Sequence, residues 1–163
     1  MNRVLTSLAA AALVAITALS AAPARAGDLV NVSGASHIAL SGYDTVAFFT
    51  DSKPVNGSPF IHASYQGATY LFSTEEHKKL FTENPGKYAP QYGGFCAFGV
   101  AIDKLFPVDI STWQIRNGKL YLNLNGDILK KFNGEFDANV AKADRNWPGL
   151  VKDNGTAAPG AAK

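Results

Sequence analysis

The sequence contains a single cysteine, Cys96, among 163 residues. One cysteine excludes an intramolecular disulfide, which is the usual staple of small exported domains. The thiol is therefore free, bound to a metal, or paired with another molecule.

The sequence also lacks an apolar run long enough to cross a membrane. Residues 4–19 are mostly apolar, but three hydroxyl residues interrupt them and they are shorter than the roughly 20 residues that a bilayer requires. Arg3 precedes this run, and the small-residue motif of residues 24–26 follows it, as in a cleavable secretory signal peptide. The short, alanine-rich run is typical of bacteria. We predict cleavage after Ala26, a periplasmic or secreted protein, and no stable membrane insertion after cleavage.

Basic residues are not in excess once this segment is removed. Arg3 and Arg25 leave with it, so residues 27–163 carry 13 basic and 13 acidic side chains, and no run of Lys or Arg is longer than a pair. A nucleic-acid-binding protein normally shows a clustered positive charge. We therefore predict no nucleic-acid partner, and the sequence identifies no protein partner.

Signature motifs of several enzyme classes are missing as well. The sequence has no nucleophile elbow, no phosphate-binding glycine loop, no dinucleotide fingerprint and no His-x-x-x-His pair. A Cys–His hydrolase needs a histidine oriented against Cys96, which the sequence does not indicate. We predict no catalytic residue, and a non-enzymatic protein is the favoured interpretation.

What is present is a pattern of short hairpins and amphipathic helices. Residues 60–65 and 68–72 are β-prone and flank Gln66-Gly67, and residues 113–116 and 119–124 flank Asn117-Gly118, the preferred two-residue hairpin turn. These spacings predict two antiparallel hairpins.

Helices are predicted after each hairpin. Ser73 and Glu76 fit a capping box that begins a helix, and residues 84–86, Asn-Pro-Gly, end it. Apolar residues from Ile128 onward recur at three- and four-residue spacing and predict one or two helices with a break at Gly134, closed by Trp147-Pro148.

These elements predict an α+β fold with a single domain of small antiparallel hairpins packed with helices. We divide the chain into a signal peptide (1–26), a lead-in arm or short edge strand (27–36), the domain (37–150) and a disordered tail rich in Gly, Ala and Pro (151–163).

Two segments of the sequence resemble the YHS domain. Residues 65–73, Tyr-Gln-Gly-Ala-Thr-Tyr-Leu-Phe-Ser, run into a helix that ends at residues 81–88, Phe-Thr-Glu-Asn-Pro-Gly-Lys-Tyr. Residues 40–49 resemble the segment that leads into that domain. The resemblance implies a hairpin-plus-helix unit, which the second hairpin and the terminal helices extend here.

Two further segments resemble an exported branch of that family described as YHS domain-containing (seleno)protein. They are residues 92–97, Tyr-Gly-Gly-Phe-Cys-Ala, and residues 141–148, Ala-Lys-Ala-Asp-Arg-Asn-Trp-Pro. With them the resemblance covers residues 30–150. It implies selenocysteine in some relatives, at a place that corresponds to the glycine-flanked Cys96.

The resemblance also implies where a metal site would lie. Metal-binding YHS relatives carry cysteines at three places that hold Ala47, Ser73 and His77 in this sequence. Copper(I) or zinc bound by thiolates needs several sulfur or imidazole donors, and only His77 supplies one here. An intact copy of that site is therefore excluded, and Cys96 with His77 are the first candidates for a differently built site.

Each candidate has a simpler interpretation. Cys96 is either a metal-binding or redox-active thiol, or a buried cysteine that packs as a small apolar residue. His77 is either a ligand or a solvated surface histidine on the predicted helix. We expect His37 and His62 to be structural, and Asp44 to cap a short helix rather than to offer an oxygen ligand.

We therefore predict an extracytoplasmic binding module that holds a transition-metal ion, copper or zinc, through Cys96 and His77. The alternatives are a thiol redox protein that uses Cys96, and a structural or partner-binding domain without chemistry.

Overall fold

A computed structural model of the protein describes residues 29–33 and 37–154. These residues form one compact α+β domain, as the sequence predicts. The six strands are β1 (Val32–Ser33), β2 (Ile38–Ala39), β3 (Ser58–Tyr65), β4 (Ala68–Phe72), β5 (Asp109–Arg116) and β6 (Lys119–Asn123). The six α-helices are α1 (Ala47–Thr50), α2 (Glu75–Glu83), α3 (Pro85–Tyr88), α4 (Ala97–Ala101), α5 (Gly126–Gly134) and α6 (Phe136–Asn154). Short 3₁₀ turns lie at Leu40–Gly42 and Gln91–Gly94.

Both predicted hairpins are confirmed. Strands β3 and β4 pair antiparallel around Gln66 and Gly67, and β5 and β6 pair antiparallel around Asn117 and Gly118. All four turn residues have positive φ, between 51° and 75°. This is the backbone of a type I′ turn, which matches the twist of the strands it joins.

The first hairpin is part of a four-stranded sheet with the order β1-β2-β4-β3. Strand β2 runs parallel to β4, and β1 pairs antiparallel with β2 at the edge. The arm that precedes the domain thus contributes the edge strand, and Asn31 holds it through hydrogen bonds to the carbonyl oxygens of Gly93 and Gly94. The predicted signal peptide (1–26) and residues 34–36 lie outside the described residues.

Helix α2 begins one residue later than the sequence predicts. The capping residue is Thr74, whose hydroxyl accepts the backbone N–H of His77 at 3.1 Å. The capping box at Ser73 is therefore wrong. The Ser73 hydroxyl donates instead to the carboxylate of Asp44, a partner 29 residues away that a local pattern does not reveal.

The predicted break at Gly134 is confirmed, because α5 ends there and α6 begins at Phe136. The predicted closure at Trp147-Pro148 is wrong, since α6 continues through Pro148 to Asn154. Leu150 on this last stretch is buried in the core, and the side chain of Asn154 donates to the Leu150 carbonyl. The first four residues of the predicted tail are therefore helical, and residues 155–163 lie outside the described part of the chain.

The described residues contain three apolar clusters, one of which joins Leu40 and Phe48 to Leu120 and Leu122 of β6. The other two are larger. One lies between the four-stranded sheet and α2 and is built around Tyr70, Phe72 and Phe81. The other packs α4, α5 and α6 against β6 around Tyr121 and Phe132. In residues 29–33 and 37–154 no helix is long and apolar enough to cross a bilayer.

Candidate functional site

Asp44 is a fully buried carboxylate at the start of α1. Its Oδ1 accepts the backbone N–H groups of Val46 at 2.9 Å and Ala47 at 3.3 Å. Asp44 therefore accepts backbone N–H groups at the turn that leads into α1, as expected of a turn or cap residue, although the helix cap itself is Val46. A carboxylate satisfies these otherwise unpaired N–H groups more strongly than a neutral oxygen does.

The second oxygen of Asp44 joins α1 to the chain that enters α2. Oδ2 accepts the Ser73 backbone N–H at 2.8 Å and the Ser73 hydroxyl at 2.7 Å, and Nδ1 of His77 lies 2.7 Å away. Asp44 thus has five donors within 3.3 Å. Burying a carboxylate without partners destabilises a folded protein by roughly several kcal/mol. The five donors around Asp44 offset that cost.

His77 lies in the interior, with 9% of its surface exposed. The expected alternative of a solvated surface histidine is therefore wrong, although the neighbouring Glu75 and Glu76 are exposed. The ring turns inward because its Nδ1–H donates to the Asp44 carboxylate. In a neutral imidazole this tautomer leaves the lone pair on Nε2.

The other ring nitrogen of His77 faces the end of α1. Nε2 lies 3.2 Å from the Thr50 hydroxyl and 3.6 Å from Oδ1 of Asp51. The Asp51 side chain is about one-third exposed, so this end of the site is open to solvent. We call Asp44, Thr50, Asp51, Ser73 and His77 the Asp44–His77 site.

The structure brings together the three positions at which the resemblance implies cysteines in metal-binding relatives. Ala47, Ser73 and His77 each donate a hydrogen bond to Asp44. Where the resemblance implies cysteine ligands in metal-binding relatives, this chain has donors around a carboxylate. Thr50 and Asp51 were not among the candidate site residues. They follow an apolar segment and belong to no recognisable motif, so no sequence signal marks them.

Cys96 lies elsewhere and is 1% exposed. Cys96 immediately precedes α4. Its sulfur accepts the backbone N–H groups of Gly99 at 3.4 Å and Leu124 at 3.3 Å. The buried side chain of Asn123 lies beside it, with Oδ1 at 3.7 Å from the sulfur. Cys96 therefore caps a short helix and ties it to the end of β6.

Gly99 explains why glycine is needed near this thiol. A Cβ atom at position 99 would lie 2.7 Å from the Phe106 ring and 3.0 Å from the Lys104 carbonyl oxygen. The loop before β5 thus packs directly on α4.

The two predicted metal ligands have no hydrogen-bonding partner in common. His77 contacts Asp44, Thr50 and Ser73, whereas Cys96 contacts residues of α4 and β6. Within the described residues no three His, Cys, Asp or Glu side chains are grouped so as to hold a metal ion.

The remaining histidines lie apart from both places. His62 is exposed on β3, and its Nδ1 is 3.0 Å from the Pro59 carbonyl oxygen. The backbone carbonyl of His37 accepts the Thr69 N–H and helps to join β2 to β4. Both positions agree with the structural roles expected from the sequence.

Comparison with known proteins identifies one part of the chain. Neither the curated proteins nor the solved structures gave a match, so the exported selenoprotein branch remains a prediction. A family model described as YHS domain matches residues 46–92. This segment runs from the cap of α1 to the 3₁₀ turn at Gln91–Gly94 and includes Ser73 and His77. The chain is therefore similar to the YHS domain over residues 46–92, and the second hairpin and the two C-terminal helices lie outside the matched segment.

Proposed function

We propose that this protein is an extracytoplasmic binding module that holds a divalent zinc or copper ion at Nε2 of His77. The observation that carries the proposal is the 2.7 Å contact between Nδ1 of His77 and the buried Asp44 carboxylate. Metal-binding histidines commonly donate their other ring N–H to a carboxylate, which fixes the tautomer and makes the free nitrogen more basic.

The donors around His77 fit one kind of ion and not another. A copper(I) or zinc site of the thiolate type does not fit, because no sulfur lies among the side chains of the Asp44–His77 site. An imidazole nitrogen and a carboxylate oxygen suit divalent zinc or copper. Nε2 and Oδ1 of Asp51 are 3.6 Å apart, less than the sum of two metal–ligand bonds of about 2.0–2.1 Å each, so one ion can contact both atoms.

Two protein ligands make an open site. The remaining positions of the ion would be filled by water or by a partner, as in sites that exchange their metal. Asp44 itself is occupied by its hydrogen bonds and orients His77. Asp44 therefore positions His77 and is not a metal ligand, and its removal should lower the stability of the fold.

Cys96 is the competing candidate, both as a ligand and as a redox thiol. Its sulfur is buried and already accepts two backbone N–H groups. A reactive or metal-exchanging thiol needs access to its reaction partner. The geometry therefore favours His77 over Cys96 as the centre of the site.

The test is calorimetric titration of the exported chain (residues 27–163) with zinc(II) and copper(II) in a non-coordinating buffer. We expect one ion per chain, with affinity reduced about tenfold or more by Asp51→Asn and His77→Gln, since each removes a donor. Asp51→Asn is the sharper variant because its side chain is about one-third exposed, so the change should disturb the fold less than a change at the buried His77. Cys96→Ala and the matched control His62→Gln should bind as the wild type does.

Two results would overturn this proposal. A wild-type chain that binds neither ion would exclude the metal site, and binding that disappears only in Cys96→Ala would move the site to the thiol.

Export is tested separately by the mass of the protein recovered outside the cytoplasm. Cleavage after Ala26 predicts an N terminus at Gly27.

A further inference from the structure

A cavity of about 260 Å³ lies at the junction of the YHS segment and the last helix. The β3–β4 turn, the 3₁₀ turn at Gln91–Gly94, helix α6 and Leu29 of the arm surround it. It shares no lining residue with the Asp44–His77 site. A volume of this size suits a small metabolite rather than a drug-sized molecule or a polymer.

Three aromatic side chains form the walls. Tyr65 comes from the end of β3, Tyr92 from the 3₁₀ turn and Trp147 from α6. The ring centroids of Tyr92 and Trp147 are 5.8 Å apart, and the ring planes meet at 64°. Aromatic faces carry partial negative charge and attract cations within about 6 Å of the ring centre.

The charge of the cavity comes from Asp144. Among the residues that line it there is no lysine, arginine or histidine, and Asp144 is the one acidic side chain. Oδ1 of Asp144 accepts the hydroxyl of Tyr92 at 2.9 Å. Burial, and then the hydrogen bond to Asp144 and its negative charge, raise the pKa of Tyr92, so the phenol keeps the proton that it donates to the carboxylate.

We propose that this cavity binds a small organic cation, a primary amine or a quaternary ammonium compound. Two features carry the inference: three aromatic side chains among the lining residues, and one carboxylate with no basic lining residue beside it. The same features disfavour phosphate and carboxylate ligands, because no lining residue carries a positive charge and Asp144 would repel an anion.

Amide NMR of the exported chain, titrated with choline and with butylammonium in the presence of EDTA, tests this site. EDTA removes metal, so the result does not depend on the His77 proposal. We expect saturable shifts at the lining residues for at least one of the two cations. The neutral carbon isostere of choline, in which carbon replaces nitrogen, should bind about tenfold more weakly or not at all.

Two variants sharpen the test. Asp144→Asn keeps an oxygen that accepts the Tyr92 hydroxyl but removes the charge, and it should weaken cation binding about five- to tenfold. Asp153→Asn, an exposed change on the same helix, is the matched control and should have no effect. Tyr65→Leu should weaken binding about threefold.

Three results would overturn the inference. They are the absence of saturable shifts with both cations, equal affinity for choline and its neutral isostere, and wild-type affinity in Asp144→Asn. Far-ultraviolet circular dichroism of each variant confirms that the fold is retained before binding is compared.

Discussion

Asp44 and Cys96 occupy equivalent positions in the two halves of the domain. Each is fully buried, each precedes a short helix, and each accepts backbone N–H groups from that helix. They differ in what lies beyond them. Asp44 is bonded to His77, whose second nitrogen faces a partly exposed carboxylate, whereas Cys96 meets Asn123 and the buried end of β6. Burial alone therefore does not separate a functional group from a structural one, but a path from the buried group to solvent does.

The largest effect on stability is expected from removing the Asp44 carboxylate. Asp44→Ala leaves five donors without their acceptor, four of them from the backbone or side chains of Val46, Ala47 and Ser73. Each buried unpaired donor costs about 1–3 kcal/mol, and we expect a total loss of roughly 3 kcal/mol or more in the free energy of unfolding. Urea denaturation measures it. Asp51→Ala is the control and should change stability by less than about 1 kcal/mol.

The Cys96 half should respond less. Cys96→Ala removes a helix cap and a buried sulfur, and we expect a loss of about 1–2 kcal/mol in the same denaturation experiment. The native thiol should react with a thiol reagent far more slowly than the thiol in urea, because it is 1% exposed. Rapid labelling of the folded protein would contradict the contrast between the two halves and restore the redox interpretation of Cys96.

The neighbouring hydroxyl residues Ser73 and Thr74 have different roles, since Thr74 caps α2 and Ser73 donates to Asp44. Thr74→Ala removes the acceptor for the His77 backbone N–H and should cost about 1 kcal/mol. Ser73→Ala removes one donor to the Asp44 carboxylate and should cost a similar amount, about 1–2 kcal/mol. The two differ in their coupling to Asp44. In double-mutant cycles with Asp44→Ala, Ser73→Ala should be strongly non-additive, and Thr74→Ala nearly additive.

The smallest effect is expected at alkaline pH, from the tyrosine that lies between the two halves. The folded state raises the pKa of Tyr92, by burial first and then by Asp144. This contribution is complete below the unfolded pKa of about 10 and is lost as the pH rises above it. The free energy of unfolding should therefore fall from pH 9 to pH 11. Tyr92→Phe should make that fall shallower, and an unchanged slope would contradict the assignment.

The hairpins were predictable because their information is local. Gln66-Gly67 and Asn117-Gly118 determine their own backbone geometry, and the alternating residues on either side determine the pairing. The role of Asp44 as a turn or cap residue was predictable for the same reason, since its partners are two and three residues away.

The site itself depended on contacts that no local pattern contains. Asp44 and His77 are 33 residues apart, and their contact turns the His77 side chain toward the interior although its neighbours on the helix are exposed. A separate hydrogen bond to Asp44 takes the Ser73 hydroxyl away from the cap position that its spacing to Glu76 favours. The resemblance supplied the positions of Ser73 and His77, whereas the separation of Cys96 from His77 followed only from the packing of α4 against α6 and β6.

The anchoring of Asn31 has a practical consequence for anyone who produces this protein. Its backbone and side chain bind the carbonyl oxygens of Gly93 and Gly94, and Leu29 beside it lines the aromatic cavity. An affinity tag fused at Gly27 would begin two residues before Leu29 in the sequence, next to a segment that the sheet and the cavity both use. A tag placed after Lys163 leaves the arm free to occupy its place in the sheet.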